Sequence, residues 1–241
     1  MFIRIGTSGW SYDHWEGVLY PPGTPSRERL FHYLPHFSTV ELNSTHYHWP
    51  RDSAFARWRR VLPEGFLLTV KAPRGLTHAT RLYKPERWVE RISTAFEALG
   101  PRAGLLLVQL PPQMPYDYPR LAYFLGLLPR HVRAAVEFRH PSWHREEIYD
   151  LLGGTGAAYC VMSGANLPCV LRATAPFVYV RLHGPDQNHM YAGSYPDQDL
   201  RWWSDRISEW EAARREVFAY FNNDGGGNAV RNAAALSAAC R

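Results

Sequence analysis

Residues 177–184 read Phe-Val-Tyr-Val-Arg-Leu-His-Gly. The run over 177–182 is apolar except for Arg181, and His183 follows it directly. A strand that is apolar on both faces is typical of a parallel sheet covered by helices on each side. Because side chains alternate across a strand, Arg181 and His183 share one face. The run therefore predicts a buried parallel strand whose carboxyl end presents polar groups.

Seven further runs have the same character, at residues 2–6, 39–43, 66–71, 104–110, 132–138, 157–161 and 216–221. Between them, helices are predicted at residues 27–37, 85–99, from Ser142 to about 154, 199–215 and 226–240, and an irregular connection at 163–176. About eight alternations of strand and helix in 241 residues predict the α/β class and a single (β/α)8, TIM-like barrel over residues 1–241. The rival fold, a doubly wound open sheet, normally has fewer strands.

The composition, with 46% hydrophobic and 20% charged residues, is that of a globular protein with a large core. No stretch approaches the roughly 20 apolar residues of a membrane span, and the N-terminus has no signal region, so we expect a cytoplasmic protein without a membrane partner. The three cysteines lack metal-ligand spacing and are interpreted as buried or incidental thiols. The net charge of +5, without a basic run, modestly favours anionic partners.

Active sites of (β/α)8 barrels lie at the carboxyl ends of the strands. The candidate catalytic residues there are Glu41, Lys71, Glu137, Arg181 and His183. Because a buried unpaired charge is costly, we expect these charges to meet one another around a common site. A purely structural ionic cluster is the alternative interpretation. The candidate substrate-binding residues are Trp10, Asn43, Gln109, Arg139, Tyr191, Asn222 and Asp224.

Three kinds of chemistry fit these residues. Glu41 and Glu137 could act as acid and base across a substrate. Lys71 could act as a base or an imine-forming amine. A third possibility is a divalent metal, with ligands Glu41, Glu137, His183 and Asp224. The fixed positive charges of Lys71 and Arg181 disfavour a metal, so metal-free acid/base chemistry without a cofactor is preferred.

Two loops add to this picture. Gly225, Gly226 and Gly227 lead into the last predicted helix, where exposed backbone N–H groups could bind an anion, although a flexible glycine turn is an equal alternative. The loop over residues 183–195 is long for a barrel and could act as a lid. His46 is a lone histidine without ligand spacing, and His78 either lines the third loop or is an exposed loop histidine.

The strand-end motifs resemble those of the YecE-like family, a domain of unknown function (DUF72). The resemblance is carried by residues 6–12 (Gly-Thr-Ser-Gly-Trp-Ser-Tyr), 40–45 (Val-Glu-Leu-Asn-Ser-Thr), 69–73 (Thr-Val-Lys-Ala-Pro), 109–112 (Gln-Leu-Pro-Pro), 136–140 (Val-Glu-Phe-Arg-His), 179–184 (Tyr-Val-Arg-Leu-His-Gly) and 220–224 (Tyr-Phe-Asn-Asn-Asp). It implies a TIM-like barrel without an assigned activity, and a fold-level similarity to endonuclease IV-type barrels. Where the family usually reads Thr-Phe-Tyr, this chain has Thr45-His46-Tyr47.

The sequence thus predicts an enzyme, of the hydrolase, lyase or isomerase type, acting on a small anionic or polyhydroxylated, sugar-like substrate. Glu41 and Glu137 would transfer protons, and Lys71 and Arg181 would stabilise developing negative charge. The alternatives are a nucleic-acid-binding protein, with arginines on phosphates and aromatic rings on bases, and a metal-dependent phosphoesterase or nuclease.

Overall fold

The computed structural model describes residues 3–240. The eight strands are β1 (Ile3–Thr7), β2 (Thr39–Leu42), β3 (Leu67–Lys71), β4 (Ala103–Gln109), β5 (Ala134–Glu137), β6 (Ala158–Ser163), β7 (Phe177–Leu182) and β8 (Glu216–Phe221). Each predicted strand is present, and the predicted bounds of β7 and β8 are matched at both ends. Phe2, which was placed in the first predicted strand, lies outside the described residues.

The strands form one sheet in the order β1-β8-β7-β6-β5-β4-β3-β2. Neighbouring strands run parallel, as in the pairs β1–β8, β4–β5 and β7–β8. A further parallel bridge joins Ser8, just beyond β1, to Glu41 in β2, so the first and last strands of this order are also neighbours. The predicted α/β class and (β/α)8, TIM-like barrel fold are therefore confirmed.

The helices are α1 (Arg29–Tyr33), α2 (Ser44–Tyr47), α3 (Asp52–Val61), α4 (Glu86–Leu99), α5 (Tyr118–Leu127), α6 (Glu146–Thr155), α7 (Asp197–Ala212) and α8 (Asn228–Ala239). The predicted helix over 85–99 corresponds to α4 almost residue for residue. Residues 163–176 contain no helix, as expected for the irregular sixth connection. None of the helices in residues 3–240 is long and apolar enough to cross a bilayer.

Several predicted helix boundaries differ from the structure: α6 begins at Glu146 instead of Ser142, and the helix predicted over 199–215 is α7. The helix predicted over 27–37 is only five residues long, and it stops just before Pro35, which lacks the N–H that the next turn needs. The helix predicted to end near residue 154 continues through Gly153 and Gly154 to Thr155. It ends where Gly156 takes a left-handed conformation with φ of 73°, a common helix C-terminal geometry for glycine.

The described residues group into two compact units. The first contains residues 3–41, 161–171 and 176–240, and the second contains residues 42–160 and 172–175. In the first unit, β7 and β8 are paired along their whole length, and all six residues of β7 are buried. In the second unit, the ring of Trp143 is stacked on Phe138 with centroids 5.0 Å apart. The single domain expected over residues 1–241 stays a prediction.

Candidate functional site

The residues predicted to form the active site belong to both compact units. The first unit holds Trp10, Glu41, Arg181, His183, Tyr191, Asn222, Asp224, Gly225, Gly226 and Gly227, and the second holds Asn43, Lys71, Gln109, Glu137 and Arg139. Most of them lie at, or directly after, the carboxyl ends of strands. That all of them meet in one site stays a prediction.

Glu41 is fully buried, and both of its carboxylate oxygens are hydrogen-bonded. Its Oε1 accepts hydrogen bonds from the Ser8 hydroxyl and from Nη2 of Arg181, the latter at 2.7 Å. Its Oε2 accepts from the Tyr179 hydroxyl at 2.5 Å. Because Arg181 is also fully buried, the structure brings two of the predicted catalytic residues together as a buried ion pair.

The surroundings of Glu41 favour its charged form. Burial raises the pKa of this carboxyl, but the positive charge of Arg181 and the hydrogen bonds from Ser8, Tyr179 and Arg181 outweigh burial and lower the pKa below its ordinary value. Burial and the charge of Glu41 raise the pKa of the Tyr179 hydroxyl, which therefore stays protonated and continues to donate. At neutral pH Glu41 is thus a fixed anion with no proton to give.

The local fold explains how Tyr179 and Arg181 reach the same carboxylate. They are two residues apart in β7 and therefore face the same side of the strand. The Tyr179 ring lies 5.3 Å from the Tyr220 ring, and the Tyr220 hydroxyl is hydrogen-bonded to Oγ1 of Thr39 at 2.7 Å. These contacts fix the side of β7 that faces Glu41.

His183 follows β7 and is fully buried. Its Nδ1 lies 3.2 Å from Nδ2 of Asn222, which donates, so the proton of a neutral imidazole is on Nε2. The ring of Tyr191 approaches His183 edge-on, with centroids 5.4 Å apart. Three residues predicted to belong to the site are therefore in contact with one another.

Asp224 ties the loop after β8 to the loop after β1. Its backbone oxygen accepts hydrogen bonds from Nε1 of Trp15 at 3.0 Å and from Nε2 of His14 at 2.8 Å. The carboxylate Oδ2 lies 3.3 Å from the same His14 nitrogen. Asp224 therefore has structural partners of its own in the first unit.

The three glycines form a 3-10 turn, Gly225–Gly227, before α8. The N–H of Gly227 donates to the Asp224 oxygen at 3.0 Å. Gly227 also has a left-handed φ of 77°, and a Cβ there would lie 2.8 Å from Val18 Cγ1, which explains why glycine occupies this position. The anion site expected here depends on Gly225 and Gly226, which are exposed, and it stays a prediction.

The long loop after β7 is anchored at its base. Gly184 has a φ of 104°, and a Cβ at this residue would lie 2.2 Å from the backbone oxygen of Ala192. The Gly184 N–H donates to the Tyr195 hydroxyl at 3.1 Å, and the Tyr195 N–H donates to Oδ1 of Asn232 at the same distance. The loop thus folds back on itself, and its expected role as a lid stays a prediction.

In the second unit, Glu137 is fully buried at the end of β5. Its Oε1 accepts a hydrogen bond from Nε of Arg139, and its Oε2 lies 3.8 Å from the Cys160 thiol, a weak donor. Gln109 of β4 is paired in register with Glu137. Cys160, one of the three thiols interpreted as buried or incidental, is therefore in contact with a predicted catalytic residue.

Lys71, at the end of β3, is 7% exposed and has two imidazoles in its neighbourhood. His46 is buried, and its Nδ1 donates to the Ala72 oxygen at 2.9 Å. The ring of His78, in the π-helix Gly75–Ala79, lies 4.9 Å from the His46 ring. Burial and the charge of Lys71 lower the pKa of both histidines, that of His46 to about 4. Both rings are therefore neutral at neutral pH, and Nε2 of His46 carries no proton.

His46 is expected to remain neutral throughout the ordinary titration range of histidine. Its folded pKa of about 4 is below its ordinary value of 6.5, so its contribution to stability is full above 6.5 and is lost as the pH falls towards 4. NMR titration of the imidazole C–H signals measures this directly. Lys71→Met should raise the pKa of His46 by removing a nearby positive charge, and a wild-type midpoint near 6.5 would contradict the assignment.

The remaining predicted positions have weaker assignments. Trp10 and Gln109 are half-buried. Asn43 also is half-buried, and its Oδ1 is buried without a hydrogen-bond partner within residues 3–240. Within residues 3–240, no group of three or more His, Cys, Asp or Glu side chains is arranged to hold a metal ion.

No catalytic or binding role is predicted from the sequence for Ser8, Tyr179 or Cys160, nor for the pair of His46 and His78. Tyr179 could have been found, because the alternation that places Arg181 and His183 on one face places Tyr179 there as well. Ser8 lies directly after an apolar strand, as the other candidates do. The approach of Cys160 to Glu137 has no such signal, because it depends on the register of β5 and β6.

Comparisons with known proteins identify relatives over the whole chain. The family model for "Protein of unknown function DUF72" matches residues 4–241. UPF0759 protein YunF of Bacillus subtilis is 30% identical over 265 residues, which cover 95% of this chain and 92% of that protein. UPF0759 protein YecE of Escherichia coli is 33% identical over 142 residues, or 58% of this chain and 50% of that protein.

Solved structures agree with these matches. A DUF72 family protein from Thermotoga maritima superposes with a TM-score of 0.87 at 29% identity, covering 99% of this chain and 98% of that one. A DUF72 family protein from Enterococcus faecalis, with a TM-score of 0.84 at 20% identity, shares the fold over 99% of this chain and 95% of its own. The resemblance seen in the strand-end motifs is thereby confirmed, and the chain belongs to the DUF72 family.

Proposed function

We propose that the protein is an enzyme that performs metal-free acid/base chemistry on a small anionic or polyhydroxylated substrate at the carboxyl ends of its strands. The observation that carries this proposal is the complete burial of ionisable groups there: Glu41, Glu137 and Arg181 are each 0% exposed. Transfer of such groups out of water is costly, and strongly perturbed ionisable groups concentrate at functional sites.

Arg181 and Lys71 supply positive charge in this proposal. Arg181 is held by the fixed anion Glu41, so its position is set before substrate arrives. A preorganised cation stabilises negative charge that develops in a transition state without needing to reorganise. A substrate with a carboxylate, a phosphate or an enolisable carbonyl is the kind that benefits.

Glu137 is the proposed proton-transfer residue. The role expected for Glu41 is revised to that of a positioning residue, because its lowered pKa leaves it without a proton to donate and its oxygens are occupied by Ser8, Tyr179 and Arg181. His46 is a candidate second base, since its Nε2 is unprotonated at neutral pH.

The test uses Lys71 and Lys84, the two lysines of the chain. Wild-type protein is assayed in buffer that contains EDTA, with p-nitrophenyl phosphate, p-nitrophenyl acetate and p-nitrophenyl glycosides as substrates. We expect turnover of one class, and a loss of about 10²–10³-fold in kcat for Lys71→Met, as for removal of one transition-state stabilising donor. Lys84→Met, at an exposed position, removes the same charge and should leave kcat unchanged.

The proposal makes the melting temperature of Lys71→Met a second readout. We expect it to stay near that of wild type or rise, because functional charges are often retained at a cost in stability. Turnover that EDTA abolishes, turnover that survives Lys71→Met, or no turnover of any of these substrate classes would contradict the proposal.

A further inference from the structure

A groove of about 490 Å³ lies between the start of α3 and the first half of α4 in the second unit. Trp49, Arg51 and Asp52 line one side of it. Arg87, Glu90, Arg91 and Thr94 line the other, and their spacing places them on one face of α4. The volume is within the range of about 300–1,000 Å³ that is usual for ligand sites.

Four donor groups of this groove have no ion pair or acceptor within residues 3–240. In the described part of the chain, Arg51, Arg87 and Arg91 form no ion pair, and Nε1 of Trp49 is buried without a hydrogen-bond acceptor. Arg91 has an aromatic contact, its guanidinium lying 5.0 Å from the centre of the Trp88 ring. Guanidinium and indole N–H groups only donate, and the three guanidinium groups outnumber the two carboxylates of the groove, Asp52 and Glu90. The groove can therefore accept a further anion with several acceptor oxygens, such as a phosphate.

A second, neighbouring groove differs from the first in the pairing of its charged groups. It has a volume of about 360 Å³ and is lined by Glu86, the first residue of α4, and by residues at the start of α5. There Arg120 is paired with Asp117 at 3.0 Å, and the Tyr123 hydroxyl donates to Glu86 at 2.6 Å. Arg120 and Glu86 of this groove are thus paired, whereas Arg51, Arg87 and Arg91 form no ion pair with Asp52 or Glu90 of the first groove in residues 3–240.

Two tyrosine rings line the second groove, and the Tyr83 ring has Lys84 Nζ and Arg120 Cζ at 5.6 Å and 5.9 Å from its centre. Tyr83 is 59% exposed and Tyr123 is 52% exposed, and both line the groove. Arg81, Leu82 and Lys84, which flank Tyr83 in the sequence, have φ angles of 50°, 65° and 46°, in the left-handed region that non-glycine residues rarely adopt. Such strain is kept where surrounding structure fixes it, and it concentrates at functional sites.

The charge of the chain is concentrated in the same region. Residues 51–102 contain eleven basic and five acidic residues, whereas the whole chain contains 27 and 22. The positive excess of the protein is thus contributed by the segment that forms α3, α4 and the strained turn between β3 and α4, although no basic run is present. Basic residues combined with exposed aromatic rings are typical of surfaces that bind single-stranded nucleic acid.

We propose that this surface binds single-stranded nucleic acid, with phosphates at Arg51, Arg87 and Arg91 and bases stacked on Tyr83 and Tyr123. A single strand fits because its bases are free to stack on tyrosine rings, whereas a duplex stacks them internally. The two carboxylates of the first groove, Asp52 and Glu90, accept hydrogen bonds from ribose hydroxyl or base amino groups. The assignment is independent of the chemistry proposed at the strand ends.

The test is fluorescence anisotropy with a fluorescein-labelled single-stranded oligouridylate of about 15 nucleotides, long enough for one binding site. Affinity should fall steeply between about 50 and 200 mM salt. The combined variant Arg51→Gln/Arg87→Gln/Arg91→Gln should weaken binding at least about tenfold and reduce the salt slope by about 2, or roughly 0.7 per lost phosphate contact. Tyr83→Ala should weaken binding about fivefold or more, the usual effect of losing one stacked base.

Arg201→Gln is the matched control, because it removes one exposed arginine on α7 and should change affinity little compared with Arg87→Gln. Circular dichroism melting checks that each variant is folded. The proposal is overturned if the oligonucleotide does not bind at low salt or if Arg201→Gln loses as much affinity as Arg87→Gln. It is also overturned if uridine monophosphate competes equally well per nucleotide, which would indicate a site for small phosphate esters.

Discussion

Arg181→Met is expected to lower the free energy of unfolding by about 3–5 kcal/mol at neutral pH, the usual cost of removing one partner from a buried ion pair. Glu41 stays behind as a fully buried carboxylate with only the hydroxyls of Ser8 and Tyr179 as donors in the described structure. Urea denaturation followed by circular dichroism measures the loss.

The pH dependence of this variant should be opposite in sign to that of wild type. In wild type the pKa of Glu41 is lowered, so its contribution to stability is present above the ordinary carboxyl pKa and is lost as the pH falls through the folded value. Without Arg181, burial is no longer outweighed, and the pKa of Glu41 rises. The stability of Arg181→Met relative to wild type should therefore improve as the pH is lowered from neutral towards that raised pKa.

The control is the double variant Glu41→Gln/Arg181→Met, which removes both charges. It should recover a large part of the lost stability at neutral pH, because a buried neutral amide costs less than a buried unpaired carboxylate. A loss below about 1 kcal/mol for Arg181→Met would show that the pair behaves like an exposed one and would contradict its assignment as a buried network.

Glu137→Gln is expected to reduce kcat/KM by about 10²–10⁴-fold on the substrate identified in the p-nitrophenyl assays, the usual contribution of a general acid or base. The amide keeps the shape of the side chain and can still accept the hydrogen bond from Arg139, but it cannot exchange a proton. The pH profile of kcat/KM should lose the limb that belongs to this carboxyl.

Glu64→Gln is the matched control for that variant, since Glu64 is an exposed residue of the same unit. Its activity should equal that of wild type. If Glu137→Gln kept its activity while its melting temperature fell sharply, the carboxylate would have a structural role, and the proposed proton transfer would have to be reassigned.

Much of the fold could be predicted from the sequence because a buried parallel strand has a strong local signal. Phe177–Leu182 and Glu216–Phe221 are apolar except for Arg181 and Glu216 and are bounded by residues that favour turns, so their bounds are the same in the sequence and in the structure. Helix ends were less predictable. They depend on which nearby residue ends the helix, and Gly153 and Gly154 were taken for the end that Gly156 provides.

The identity of the candidate site residues could also be predicted from the sequence, because polar side chains at the ends of apolar strands are easy to recognise. Their roles could not. Glu41 was interpreted as an acid or base, but its hydrogen bonds come from Ser8, Tyr179 and Arg181, the last of these 140 positions away in sequence. Spacing in the sequence contains no information on such a distant pairing, nor on the resulting change in pKa.

The sequence alone determined the class of fold, the family and the identity of the ionisable groups at the strand ends, because local apolar runs and short motifs specify each of these. Tertiary structure decided which oxygens meet which donors. It paired Glu41 with Arg181, brought the thiol of Cys160 to Glu137, and placed Arg51, Arg87 and Arg91 around one groove without an ion pair in residues 3–240. Protonation states and unpaired charges depend on burial and on distances between remote residues, and folding alone sets these.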